Sequence, residues 1–240
     1  MIDWLKRDVL DPHIELGTTS LPIVLRRHAK ARRLTLRLAP DGSEVRITMP
    51  AWARTAEAID FARSRREWLT IQHNKIPQRT APGPNTQLSY RGDLVRVDWH
   101  EDHPRKPALD QDVIRLGGPN TSLERRLRVW FEKSALALFE TDVADYCTAA
   151  QLTAVPVALS RAQKRWGSCS DRQRIRLNWR LVQAPDWVRR SVVAHEVTHL
   201  VHFDHSPAFH TLLGDLFEGD IDQADAWLKE NGRSLYTHFG

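Results

Sequence analysis

The chain has 240 residues, 41% of them hydrophobic and 27% charged, with a formal net charge of +5. This is the profile of a soluble globular protein long enough for one large domain or two small ones. No apolar run approaches the ~18 residues of a membrane span, the opening stretch MIDWLKRDVLDPH lacks a signal-peptide core, and two cysteines, Cys147 and Cys169, are too few for a disulfide framework, so a cytoplasmic protein with no membrane partner is expected.

Residues 1–20 read as a polar leader without clear periodicity. Leu21 to His28, Arg33 to Leu38 and Glu44 to Met49 are short segments rich in Val, Ile, Leu and Thr, and Pro40-Asp41-Gly42 is a hairpin turn between the latter two. One amphipathic helix is predicted from about Arg54 to Asn74, carrying Ile59, Phe61, Trp68, Leu69 and Ile71. A proline-rich connector over Pro77 to Pro84 follows. Leu88 to Trp99 reads as a hairpin around Arg91-Gly92-Asp93, and Val113 to Leu116 as a further strand. After Gly117-Gly118-Pro119-Asn120, a long helix is expected from Leu123 to about Cys147. Val155 to Ser160 and Ile175 to Leu181 read as strands flanking a loop over Arg165 to Ser170. Asp186 is the expected N-cap of the next helix, which should end near Phe203. Two closing helices are expected over Pro207 to Phe217 and Ile221 to Asn231. The reading is therefore an α+β protein: a leader (1–20), a β-rich N-terminal part with one helix (21–118) and a mainly helical C-terminal domain with a small sheet (119–240).

That C-terminal domain carries the chemistry. His195-Glu196-Val197-Thr198-His199 is an H-E-x-x-H pattern, and His205 follows six residues later. Positions i and i+4 share one face of a helix, so two imidazoles can aim at one point. Zinc accepts imidazole, and a catalytic zinc takes three protein ligands and leaves one position to water. Glu196 is then placed to act as general base on that water. Val192, Val193, Val197, Leu200 and Val201 make the helix apolar nearly all round, which implies burial. Imidazoles and a carboxylate are costly inside such a helix without a partner.

Three histidines compete for the third position. His202 is carried away from the first two by helical geometry. Ser206-Pro207 reads as an N-cap followed by proline at the first helical position. The chain must therefore turn around Asp204-His205, which can swing His205 back; His210, one turn into the new helix, is a less direct alternative. Asp204 is also a candidate to orient a ligand imidazole. Cys169 reads as a small buried thiol rather than a nucleophile.

Several stretches together resemble the YgjP-like metallohydrolases, zinc-dependent proteins related to the SprT group. They are Lys164-Arg165-Trp166-Gly167-Ser168-Cys169-Ser170, Ile175-Arg176-Leu177-Asn178, the H-E-x-x-H run with Leu200, and His205-Ser206-x-x-Phe209. The N-terminal Arg32-Arg33-Leu34, Pro50 and Arg66-Glu67-Trp68 also fit, so the resemblance spans roughly residues 22 to 230. It implies a minimal gluzincin-type core, a small sheet packed on the H-E-x-x-H helix. It further implies that His195, His199 and His205 bind Zn2+ and that Glu196 is the catalytic base. Two positions depart from the family pattern: Asp204, where asparagine commonly precedes the third ligand, and His210, where an aromatic residue usually follows Phe209. The second leaves another metal arrangement open.

A zinc metallopeptidase acting on a peptide or protein is the main functional expectation. An extended substrate would pair with an edge strand near Ile175 to Leu177. Asn178 would hold substrate or a neighbouring loop, and Arg165 is a candidate to stabilise an oxyanion. Two alternatives stand beside it: a zinc-dependent nucleoside triphosphate pyrophosphatase and a metal-stabilised adaptor for nucleic acid or protein. Arginine, which outnumbers lysine, favours phosphate. Against both, no phosphate-cradling loop is recognisable, and basic residues are spread over Arg26-Arg27, Arg32-Arg33, Arg63-Arg66, Arg125-Arg128, Arg161-Arg165 and Arg189-Arg190 rather than forming one block. The sequence does not set an oligomeric state.

Overall fold

Alternating burial first becomes visible at His13–Leu16 (β1), where Ile14 and Leu16 point inward. The computed structural model describes residues 11–39, 41–76 and 79–239, so half of the expected leader, residues 1–10, lies outside the described residues. The chain divides after Gln78 into two units.

In the first unit, β1 pairs with Thr19–His28 (β2) across a tight turn in which Gly17 has φ +67°, a backbone setting that glycine adopts at no steric cost. Thr35–Leu38 (β3) and Val45–Pro50 (β4) complete a sheet of order β1-β2-β4-β3, with β2 and β4 parallel and β3 antiparallel to β4. Four residues with two apolar side chains give too short a period to read from sequence, so β1 lies within the segment that reads as leader. The single helix expected over 54–74 is two, Thr55–Ser64 (α1) and Arg66–Asn74 (α2). The break is at Arg65, whose backbone sits at φ −105°, ψ 12°. It shifts the helical phase, so Leu69 is buried while Trp68 and Ile71 lie on the surface. Ile23, Val45, Ile47, Met49, Ala58, Ala62 and Leu69 form the core.

The second unit is built around Leu123–Ala149 (α3), the long helix expected from periodicity. One sheet contains Gln87–Tyr90 (β5), Asp93–Trp99 (β6), Ala108–Asp110 (β7) and Val113–Leu116 (β8), in the order β5-β6-β8-β7. Leu88, Val97, Ile114 and Leu116 share a core with Leu127, Phe131 and Phe139 of α3. The division read from sequence at 118 therefore lies inside one core.

The second sheet, Val157–Ser160 (β9), Gly167–Cys169 (β10) and Ile175–Asn178 (β11), has the order β10-β11-β9. Two expectations change here. The stretch read as a loop over 165–170 contains a strand, and the strand read as running to Leu181 ends at Asn178, where Trp179–Gln183 winds into a 3-10 turn. Consequently Ile175–Leu177 is central, hydrogen-bonded on both sides, and cannot be the edge that receives a substrate strand; β10 is an edge.

Asp186–Thr198 (α4), Pro207–Leu216 (α5) and Ile221–Asn231 (α6) follow. Pro185, not Asp186, occupies the N-cap of α4. The Asp186 carboxylate instead meets the guanidiniums of Arg91 and Arg189. Arg189, 3% exposed at its side chain, donates to Asp142 of α3 at 2.7 Å, and Arg190 reaches the same carboxylate at 3.0 Å. This ion network fixes α4 against α3. Among the described residues no helix is long and apolar enough to cross a membrane.

Candidate functional site

Helix α4 stops at Thr198, one full turn before the expected end, and this termination builds the site. His199 still has helical backbone angles, and the next amides fold back: Leu200 N–H to the Val197 carbonyl and His202 N–H to the Thr198 carbonyl, at 2.9 and 3.0 Å. The early stop places Leu200 and Val201 in a turn, so Val201 is exposed, while Val193 and Val197 remain buried. Within Asp186–Thr198 only Trp187 is exposed, so the helix itself is buried nearly all round, as its apolar pattern implies. Asp204 then accepts from the Ser206 N–H at 3.3 Å, and Ser206 Oγ caps α5 by accepting from Phe209 N–H, with Pro207 in the first turn. Asp204 therefore shapes the turn and bonds no imidazole; its carboxyl lies below the usual range because the Ser206 bonds favour the charged form.

That turn carries His205 back over α4. His195 Nε2 lies 3.2 Å from His199 Nε2 and 3.3 Å from His205 Nε2, and the three residues form a group whose candidate ligand atoms lie within 4.8 Å of one another. Nitrogens around a tetrahedral ion with Zn–N bonds of about 2.0–2.1 Å stand roughly 3.3 Å apart. The donor set thus has the size of a zinc-class cation. His199 Nδ1 lies 3.0 Å from the His202 carbonyl; donating there places its proton on Nδ1 and leaves Nε2 free as a donor to a metal. It is the backbone of His202, not its ring, that serves the site. His195 is driven down to about 4 by burial and by the neighbouring imidazoles, so its ring is neutral at physiological pH. His210 sits apart from the cluster, its ring centroid 6.5 Å from that of His205, although it lines the same cleft.

In the sequence Phe209 stands out only as part of the His205-Ser206-x-x-Phe209 run. In the structure its fully buried ring lies 5.0, 4.7 and 4.8 Å from the His195, His199 and His205 centroids. One aromatic wall therefore restricts all three imidazoles.

Glu196, the neighbour of His195 on the helix, points toward β10 and is 6% exposed. Burial pushes its carboxyl up to about 7, against the opposing effects of the Arg165 charge and the Cys169 backbone N–H. Gly167 of β10 is the reason it fits: a Cβ there would stand 2.6 Å from Glu196 Cγ and 2.7 Å from Cδ. A cleft of about 440 Å³ opens above, lined by Arg165, Gly167, His195, Glu196, His205 and His210 among others, within the size range of small-molecule and substrate pockets.

Two other sequence candidates take structural places. Asn178 is fully buried; its Nδ2 donates to the Ala162 carbonyl at 3.0 Å and to the Tyr236 hydroxyl at 3.1 Å, and its Oδ1 accepts from Arg180 N–H. It holds neighbouring loops, with its side-chain donors and acceptor engaged by them. Cys169 is half-buried, and burial raises its thiol to about 11, which keeps it protonated and a poor nucleophile.

No curated protein and no solved structure matches this chain. A family does: the family described as YgjP-like, metallopeptidase domain, matches residues 32–231 and so covers β10, the H-E-x-x-H helix, the turn to His205 and the cap of α5. A metal-dependent hydrolase at the level of the family, with a divalent cation implied by its metallopeptidase character, agrees with a cleft whose three imidazoles converge beside a buried carboxylate. The chain belongs to the YgjP-like family.

Proposed function

We propose that the protein is a zinc metallopeptidase with a gluzincin-type core, in which His195, His199 and His205 hold the metal and Glu196 is the general base. The observation that carries this reading is the convergence of three imidazole nitrogens beside a buried carboxylate whose proton affinity is near neutrality. A zinc ion held there supplies Lewis acidity toward a carbonyl oxygen and acidifies a water. Glu196 would accept a proton from the attacking water and pass it to the departing amine, two transfers that a buried carboxylate bordering the cleft can make. The His202 carbonyl and the Phe209 ring hold the imidazoles in place. Arg165 borders the same cleft and is the cation available to a developing oxyanion. β10 borders the cleft at Gly167 and is an edge of its sheet, which makes it the strand available to an extended peptide.

Incubating the zinc-loaded protein with casein and, separately, with nucleoside triphosphates tests the reading. Casein cleavage is expected, with a loss of about 10²- to 10⁴-fold in Glu196→Gln at undiminished zinc content. His195→Ala and His199→Ala are expected to lose the metal. Triphosphate hydrolysis that depends on Glu196, with peptides untouched, would falsify the peptidase in favour of a pyrophosphatase.

A further inference from the structure

The basic residues look scattered along the sequence, yet the two units divide the charge unequally. Residues 1–78 carry 14 Lys and Arg against 9 Asp and Glu, whereas residues 79–240 carry 21 of each. The whole surplus of +5 therefore belongs to the first unit, which contains no part of the metal cleft.

Topology concentrates that surplus further. Between Glu15 and Asp41 there is no acidic residue, and the segment 26–37 carries Arg26, Arg27, Lys30, Arg32, Arg33 and Arg37. β2 and β4 are parallel, with His28 opposite Pro50, and β3 runs back antiparallel, with Thr35 opposite Thr48. The end of β2, the following loop, the start of β3 and the end of β4 thus lie at one end of the sheet. Asp41 and Glu44 lie at the other end, in the β3–β4 turn and its approach to Val45. Arg26, Lys30, Arg32 and Arg33 are exposed and have no ion-pair partner among the described residues.

An aromatic residue stands at this basic end. Trp52, directly beyond β4, is 77% exposed, the most exposed large apolar side chain among the described residues. Its turn is pinned: Arg27 donates to the Ala51 and Ala53 carbonyls at 2.9 and 2.6 Å and to Thr55 Oγ1 at 3.3 Å. Ala53 N–H closes the turn onto the Pro50 carbonyl at 3.2 Å. An indole left in water on a rigid support loses little entropy on binding. Unpaired cations at the same end of a sheet as an exposed flat ring match a strand that offers phosphates and unstacked bases in alternation.

We propose that the first unit binds single-stranded nucleic acid at this end of its sheet, with Arg26, Lys30, Arg32 and Arg33 on phosphates and Trp52 stacked on a base. An acidic membrane surface or an acidic protein would use the charges, but neither presents phosphates and flat bases in regular alternation.

Fluorescence anisotropy of a labelled oligothymidylate with the full-length chain, titrated over a range of salt, tests this. The logarithm of the affinity should fall linearly with the logarithm of salt concentration, with a slope on the order of −3 for four phosphate contacts at about 0.7 each. Arg32→Ala with Arg33→Ala should reduce the magnitude of that slope by about 1.4. Trp52→Ala should weaken binding about tenfold or more and leave the slope unchanged. All these side chains are exposed, and circular dichroism of each variant checks that the fold is retained. Absence of binding at low salt, affinity indifferent to Trp52, tighter binding of duplex than of single strand, or binding of phosphatidylserine vesicles without the oligonucleotide each overturns the proposal.

Discussion

Gly167 and Glu196 illustrate how little of a site one residue announces by itself. Glu196 is legible in sequence because it follows a histidine in a spaced motif, but its environment is supplied by a strand nearly thirty positions upstream. Any side chain at 167 would occupy the volume of the carboxylate. Gly167→Ala is therefore expected to keep its metal and lose about 10²-fold in turnover, the scale of a displacement of about 1 Å at a reacting group. Metal analysis paired with rate measurements decides it, and an unchanged rate would show that the position of Glu196 is not set by β10. Helix-capping chemistry at Ser206-Pro207 points to His205 rather than His210, and His205 is the histidine grouped with His195 and His199 in the structure. The common contact of Phe209 with three rings could not be foreseen, because an apolar residue one turn into a helix reads as ordinary core.

At the scale of elements, the errors fall where tertiary bonds override local signals. Asp186 has the chemistry of an N-cap, yet two arginines claim its carboxylate and Pro185 takes the capping position. Apolar periodicity continues to Phe203, yet α4 ends at Thr198 because the turn to His205 must begin there. The orientation of α4 against α3 rests on Asp142, which is 3% exposed and bonded to both Arg189 and Arg190. Asp142→Ala leaves the buried Arg189 without this partner and is expected to cost about 3–5 kcal/mol, the usual consequence of breaking a buried pair from one side. Urea unfolding measures this; a loss below ~1 kcal/mol would remove the pair from the account of how the two helices are held.

For the molecule as a whole, the site is a source of opposed pH dependence in the absence of metal. Burial raises the Glu196 carboxyl from 4.5 to about 7 and lowers the His195 imidazole from 6.5 to about 4. Between 4.5 and about 7 the folded chain holds more protons at Glu196 than the unfolded chain, so this residue makes stability fall as pH rises. Between about 4 and 6.5 the folded chain holds fewer protons at His195, so that residue makes stability rise. The two trends oppose each other in the wild type, and Glu196→Gln removes one of them. Denaturant unfolding of chelated protein across pH should show the variant gaining on the wild type from pH 4.5 to about 7 and keeping a constant difference above. Parallel curves throughout would mean that Glu196 is not desolvated in solution.

Spacing of histidines on a helix, capping chemistry and apolar periodicity are local properties, so the sequence by itself determined the α+β class, the long helix, the H-E-x-x-H pair and the family. Register, strand order and unit boundaries depend on contacts between residues far apart in the chain. Only the tertiary structure could decide that β10 rather than β11 is an edge of its sheet, that Gly167 makes room for Glu196, and that dispersed arginines gather with Trp52 at one end of a sheet.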